Sequence, residues 1–409
     1  MARSRMLPVR PAARPHARDV ASLTSMRFFA AAWVLALHYS MQMPVDTVSW
    51  TGFFVNGGMG VDFFFVLSGF ILTHVYLPSL RTGTFDFRRF VHKRLARLYP
   101  LHFVCFLLVL GYVTAGRLMG MSFQDPQVYS WETLWPNLLL LHAWGVLDSM
   151  SWNYVSWSIS AEWFAYLLFL PLGAVFLRLP CGPLARLALA IAFFALLDRL
   201  APVLVGRELT HLTHDFGILR VLPEFMIGIA LYHVSRAWDL EPAAGAWVTG
   251  AAVAAVLMVA HFDLGGFWAV LAFCVVIHGA ASLERQGRVR WLRHRALVYL
   301  GEISYSLYMT HAIVFIVYFK ALRLLLGPSY PEWVWYLGPA ALLGAMILAS
   351  IGYHVVEVPA RRWLTGAGAA SARRPDAPDP ATERPETVSD ETHDSTARTD
   401  ERAPASGLA

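Results

Sequence analysis

Apolar residues along this chain come in long unbroken runs rather than in alternation. Runs of spanning length fall at about 23–41, 59–77, 99–118, 157–177, 184–202, 217–235, 244–261, 265–283, 297–321 and 334–357. A run of roughly 20 apolar residues crosses hydrocarbon as a helix, because a helix satisfies every backbone group within itself. A shorter run at 133–147 is interrupted by Pro136 and flanked by Glu132 and Asp148, which suits a re-entrant or interfacial segment. The basic residues test this count. With the N-terminus inside, Arg81, Arg88, Arg89, Lys93, Arg94 and Arg97 follow span 2 on the cytoplasmic side. Arg178 and Arg186 flank a second inside loop, Arg285 to Arg295 crowd a third, and Arg361 and Arg362 follow span 10. The outside loops 42–56, 120–156 and 262–264 hold no Lys or Arg. Counting 133–147 as a span would put the downstream clusters outside, against the positive-inside rule. The pattern predicts an all-α polytopic membrane protein of about ten transmembrane helices, with both termini cytoplasmic.

Composition agrees: of 409 residues, 57% are hydrophobic and 15% charged, whereas a soluble domain carries about 25% charged residues. Cys105, Cys181 and Cys274 show neither zinc nor disulfide spacing, which leaves them packing roles. Residues 1–20 hold five arginines and three prolines, and no small-residue cleavage site follows the first span. They predict a disordered basic arm ahead of an uncleaved helix. From 365 to 409 the chain is rich in Pro, Ala, Asp, Glu and Thr without apolar period, which predicts a disordered cytoplasmic tail. The body between them, 21–364, is one membrane domain. No nucleic-acid partner is expected, and the basic loops have membrane lipid beside them.

Ionisable groups inside a bilayer are costly and therefore informative. Arg27 and His38 share span 1, eleven residues apart, so they share a helix face about 16 Å apart along the axis. Asp62 opens span 2, Glu162 lies in span 4, Arg220 and Glu224 in span 6, His278 in span 8, His311 in span 9, and His354 and Glu357 close span 10. His38 and Glu162 sit at similar height. A shielded His beside a carboxylate is the arrangement of a general base, the carboxylate fixing its tautomer. Alone, such a His would simply hydrogen-bond a nearby carbonyl.

Arg94 and Arg97, three apart before span 3, share a face. Basic residues there anchor a helix to anionic headgroups, and paired guanidinium groups also grip phosphate. A phosphate-bearing donor at the cytoplasmic mouth and a His deeper in would need a long, thin molecule between them. Acyl-coenzyme A has that shape. No P-loop, GxSxG elbow, dinucleotide fingerprint or metal-ligand cluster is present.

Six blocks now matter in order: LTSMRFFAAAWVLALHYS, GVDFFFVLSGFIL, RRFVHKRLARLYPLH, VSWSISAEWFAYLLF, LGEISYSLYMTHAIV and YHVVEVPARRWL. Together they resemble the signature blocks of the acyltransferase-3 family of integral membrane O-acyltransferases, over about 20–364. Members transfer acyl groups, most often acetyl from acetyl-coenzyme A, to hydroxyls of O-antigen, peptidoglycan, exopolysaccharide, Nod factors or macrolides. Arg27 and His38 match the family's basic residue and His of the first span. Arg94 and Arg97 match its Arg-x-x-Arg motif, Ser158 and Glu162 its Ser-x-x-x-Glu block, and Glu357 and Pro359 its Glu-x-Pro block. The resemblance implies that His38 is catalytic, that the arginine pair serves donor binding or fold, and that the protein is multi-pass in a bacterial inner membrane. Many members carry a fused extracytoplasmic hydrolase-like domain. Here a tail stands instead, so the chain is expected to act alone or to pass acyl groups to a separate partner.

The expectation is therefore a transfer of acetyl or another acyl group from acyl-coenzyme A, without metal, to a sugar, glycan or glycosylated small molecule. His38 is the base and Glu162 its orienting partner, while Arg27, Arg94 and Arg97 hold the donor. Asp62, Arg220, Ser304, Tyr308 and His311 line the substrate cavity. A transient acyl-His is an alternative route. A polytopic exporter or flippase for a glycan or lipid-linked intermediate is the rival reading, since it too needs polar groups at depth and no nucleotide motif.

Overall fold

A computed structural model describes residues 20–121, 123 and 126–366. The basic arm and nearly all of the tail lie outside the described residues. Among those described, all regular structure is helical: α1 (Ala21–Ser40), α2 (Met59–Arg81), α3 (Phe87–Leu118), α4 (Leu134–Leu138), α5 (Trp157–Arg178), α6 (Pro183–Leu204) and α7 (Gly217–Ala237). There follow α8 (Pro242–His261), α9 (Gly266–Arg285), α10 (Arg295–Glu302), α11 (Ser304–Leu326), α12 (Tyr330–Leu337), α13 (Pro339–Ile351) and α14 (Val358–Leu364). The protein is an all-α polytopic membrane protein.

Among the described residues, nine helical stretches are long and apolar enough to cross a membrane. The first helix is not one of the nine. It has the length, 20 residues, but Arg27 and His38 dilute its hydropathy. Its inner face is nevertheless buried through Leu23, Ala30, Ala31, Val34 and Leu35, so neighbours rather than lipid solvate it. The 133–147 segment holds only the five-residue α4, in keeping with a piece that does not span. Two expected spans are divided. The 297–321 run breaks after Glu302 into α10 and α11. The 334–357 run starts within α12, continues as α13 and passes through a π-helical turn at Gly352–Glu357. Such turns widen a helix by one residue and commonly re-aim a functional side chain.

Small residues set the closest helix approaches, as expected where lipid offers no hydrophobic drive. A Cβ on Gly69 of α2 would meet the Phe225 carbonyl of α7, and one on Gly228 would meet the Val66 carbonyl. The two backbones therefore touch. Gly301 likewise lets the end of α10 lie on the Thr24 carbonyl of α1. The N-terminus of α1 is tied to α9 through buried Glu284, which accepts from the Ser22 hydroxyl at 2.6 Å and from the Ser22 N–H at 3.2 Å. These locks fix α1, the helix that carries Arg27 and His38, inside a ring formed by α2, α9, α10 and α11.

Candidate active site

Helices α1 and α11 run side by side in the same direction. Arg27 and Ser304 line one cavity, His38 and His311 touch further along, and Gln42 meets Arg323 beyond them. His38 Nδ1 lies 2.9 Å from His311 Nε2. His311 Nδ1 lies 3.1 Å from the Leu307 carbonyl. A carbonyl only accepts, so Nδ1 of His311 carries the proton and, in the neutral ring, Nε2 is an acceptor. His38 must then donate from Nδ1, which leaves its Nε2 lone pair exposed for chemistry. The Tyr154 ring packs edge-on to His38 at 5.1 Å, and Phe315 edge-on to His311 at 5.8 Å. A buried histidine thus sets the tautomer of a partly buried one.

One end of the site is a small cavity of about 120 Å³, lined among others by Arg27, Arg94, Arg97, Ser68, Glu162 and Tyr305. The Arg94 guanidinium faces the rings of Tyr76, Phe90 and Tyr166 at 5.8, 5.9 and 5.9 Å, and Arg27 faces Phe64 at 5.9 Å. Aromatic faces hold a cation without neutralising it. Arg94 Nε is buried with no hydrogen-bond partner among the described residues. Carboxylate Glu162 accepts from the Ser68 and Tyr166 hydroxyls, both at 2.5 Å. The π turn brings buried Glu357 to the same level, where Ser306 donates to it at 3.0 Å. Three guanidinium groups beside one lining carboxylate leave this cavity with cationic excess.

The other end is a large cavity of about 980 Å³, whose lining includes His38, Tyr154, Trp157, Arg220, Phe315 and Lys320. Val61 and Tyr308 line both spaces, so the two meet there. The Tyr308 hydroxyl donates to the Val155 carbonyl and accepts from Ser158 Oγ, each at 2.8 Å. It is a braced partition between an arginine end and a histidine end.

The sequence expectations sort themselves on this frame. Arg27, Arg94 and Arg97 come together, with Ser304 and Tyr308 on the same wall. Glu162 does not pair with His38: no hydrogen bond or ion pair joins them among the described residues, and Glu162 sits in the arginine cavity while His38 sits in the other. Equal height on two helices does not fix which way the side chains point. His311, expected to line the cavity, instead lies behind His38 as its hydrogen-bond partner. Asp62 is fully buried and lines neither cavity. It accepts from Arg220 Nε at 2.7 Å, while the other Arg220 nitrogens reach the Leu212 and Gly58 carbonyls at 3.3 and 3.1 Å. That pair is structural in geometry, although Arg220 borders the large cavity. Residues not singled out from the sequence are Ser68, Tyr166, Tyr305 and Tyr154. Ser68 and Tyr166 could have been found as polar atoms in otherwise apolar runs, but Tyr154 lies in a loop that carried no such contrast. All three cysteines are free.

Comparison with known proteins follows the same line. An acyltransferase-domain family model, the acyltransferase-3 model, matches residues 20–354. Acyltransferase MdmB of Streptomyces mycarofaciens is 30% identical over 407 residues, covering 90% of this chain and 97% of that one. Exopolysaccharide production protein ExoZ of Rhizobium meliloti is 28% identical, covering 76% and 91%. O-acetyltransferase OatA of Staphylococcus aureus is 24% identical and covers 84% of this chain, which spans 58% of its length. No solved structure matches. The chain belongs to the acyltransferase-3 family and is a multi-pass membrane O-acyltransferase.

Proposed function

We propose that the protein transfers an acyl group, acetyl in the first instance, from acyl-coenzyme A to a hydroxyl of a sugar or glycosylated acceptor, with His38 as general base. The observation that carries this is the pair of cavities meeting at Val61 and Tyr308, one cationic and narrow, the other wide and holding His38. The narrow space is too small for a nucleotide and suits an extended thioester arm, with Arg27, Arg94 and Arg97 drawing the anionic head to its mouth. The basic loop residues favour a cytoplasmic mouth by the positive-inside rule. The wide space then opens to the opposite face of a bacterial inner membrane, where acceptor sugars are met.

In the reaction, the acceptor hydroxyl donates its proton to His38 Nε2 as its oxygen attacks the thioester carbonyl. The tetrahedral adduct collapses with cleavage of the carbon–sulfur bond, and the imidazolium returns the proton to the departing thiolate. His311 holds His38 in the required tautomer throughout, a service given elsewhere by a carboxylate. Direct attack by His38 on the thioester would use the same free nitrogen and produce a transient acyl-His. The naming of ExoZ for exopolysaccharide production and of OatA as an O-acetyltransferase favours a saccharide acceptor and an acetyl donor.

Labelled acetyl-coenzyme A supplied to membranes holding wild type or His38→Ala tests the reading. Label should move to a hydroxylated acceptor only with wild type. Equal transfer by both would remove His38 from the chemistry. Passage of a glycan across the membrane with no donor consumed would instead support an exporter.

A further inference from the structure

The wide cavity is cationic at its far end, and this bears on what enters it. Among the described residues its lining contains Lys320, Arg323 and Arg220 and no Asp or Glu. Arg220 is already neutralised by Asp62. Lys320 is partly buried and has neither a hydrogen bond nor an ion pair among the described residues. Arg323 bonds the neutral Gln42 side chain at 2.8 Å and stacks on Tyr330 at 4.8 Å, and no carboxylate pairs with it among the described residues. Lys320 and Arg323 are three apart on α11, and Ile316 stands one turn before Lys320, so one face carries all three to the cavity. From His311 to these cations is nine and twelve residues, about 13 to 18 Å along the helix. Such a span is longer than one sugar ring. The walls of the same cavity include Tyr112, Tyr129 and Tyr154, flat faces suited to the apolar sides of sugar rings.

We infer that the wide cavity is a subsite for an anionic saccharide, whose carboxylate or phosphate is held by Lys320 and Arg323 while a hydroxyl one or more rings away reaches His38. The inference rests on the acyltransferase reading and names its acceptor class. A cation pair without a counter-charge among the described residues, at the edge of a cavity with aromatic walls, attracts an anion and steers it inward. Arg323 keeps its place without the ligand through Gln42 and Tyr330, so the anion meets a guanidinium already positioned.

The test is equilibrium binding to the full chain in nanodiscs of phosphatidylcholine alone. The probes are methyl glucoside, methyl glucuronide and glucose 1-phosphate, with wild type and the double variant Lys320→Gln, Arg323→Gln. Wild type should hold both charged sugars at least about tenfold tighter than the neutral one. The double variant should lose that difference, and Lys320→Arg with Arg323→Lys should keep it, which separates lost charge from lost fold. Binding of charged and neutral sugars alike, binding of none of them, or a preference untouched in the double variant would overturn the assignment. Discs containing phosphatidylglycerol separate a saccharide site from a lipid-headgroup site. If anionic lipid abolishes the sugar preference, the cations serve lipid and the proposal fails. A His38-dependent transfer to neutral acceptors, with no charge preference, would sink this inference alone and leave the acyltransferase reading standing.

Discussion

The bond between the two histidines offers the sharpest handle on the chemistry. In His311→Ala the Nδ1–H of His38 loses the acceptor now 2.9 Å away. The ring is then free to turn or to move its proton to Nε2, the atom needed as base. Leaving a buried donor without a partner costs ~1–3 kcal/mol, an upper bound here because His38 is only partly buried and the Val34 carbonyl is a second acceptor for its ring. If that whole sum appears as loss of the competent tautomer, kcat falls by roughly 5- to 150-fold. Loss of the base itself, in His38→Ala, should cost about a hundred- to ten-thousand-fold. His311 lines neither cavity, so KM for acetyl-coenzyme A should hold in His311→Ala. His311→Gln offers a carbonyl oxygen near the same place and should recover part of the loss. Labelled-acetyl transfer in membranes, with KM and kcat taken separately, reads all of this. The double variant His38→Ala, His311→Ala should be no worse than His38→Ala, because the two residues act as one unit. Full activity in His311→Ala would refute the tautomer argument. Activity as low as that of His38→Ala would make His311 the base.

Three further outcomes follow from the packing. Arg94→Lys keeps the charge but loses the flat group set against three rings, and should raise KM for acetyl-coenzyme A about tenfold, or ~1.4 kcal/mol, with kcat nearly unchanged in steady-state assays. Gly228→Ala drives a methyl into the Val66 carbonyl and should cost ~1–3 kcal/mol by overpacking. Gly250→Ala in α8, where nothing lies within 4 Å, should stabilise by ~0.5–1 kcal/mol, and thermal melting in detergent compares the two. Asp62→Asn removes the counter-charge of buried Arg220 and should destabilise by ~3–5 kcal/mol. The paired change Asp62→Leu, Arg220→Met should destabilise far less in the same melting assay.

What the sequence disclosed and what it withheld have physical causes. Arg27 and His38 stood out because a greasy helix makes any ionisable group visible, and helical period put them on one face. The rest of the arginine cluster was legible too, since Arg94 and Arg97 fall where a basic loop meets an apolar run. The partner of His38 was not legible. Depth along a span comes from counting residues, but direction around the helix axis depends on how α5 and α11 pack, which no local pattern records. Glu162 stood at a matching height, yet packing set His311 beside His38 instead. The break after Glu302 was hidden too. No Pro marks it, and the close approach of Gly301 to Thr24 is a tertiary contact. Lys320 and Arg323 escaped notice because a cation near the end of an apolar run reads as a snorkelling anchor until a cavity is seen beside it.

The two-cavity arrangement also answers why donor and acceptor ends should be kept apart. A thioester open to a wide, wet space beside a free imidazole nitrogen would lose its acyl group to water as readily as to a sugar. Tyr308 stands at the junction and is held by two hydrogen bonds of 2.8 Å, to Val155 and from Ser158. Val155 and Ser158 flank the N-terminus of α5, the helix that also carries Glu162 and Tyr166 into the arginine cavity. The partition and the donor side are therefore built on one rigid element. His38, the proposed base, sits on α1, locked by Glu284 at one end and by His311 near the other. Arg27 is carried on that same helix, so the proposed sites of donor attraction and proton abstraction keep a fixed separation of eleven residues. A helix of that length holds the two functions at constant distance while substrates move past, which a loop could not do.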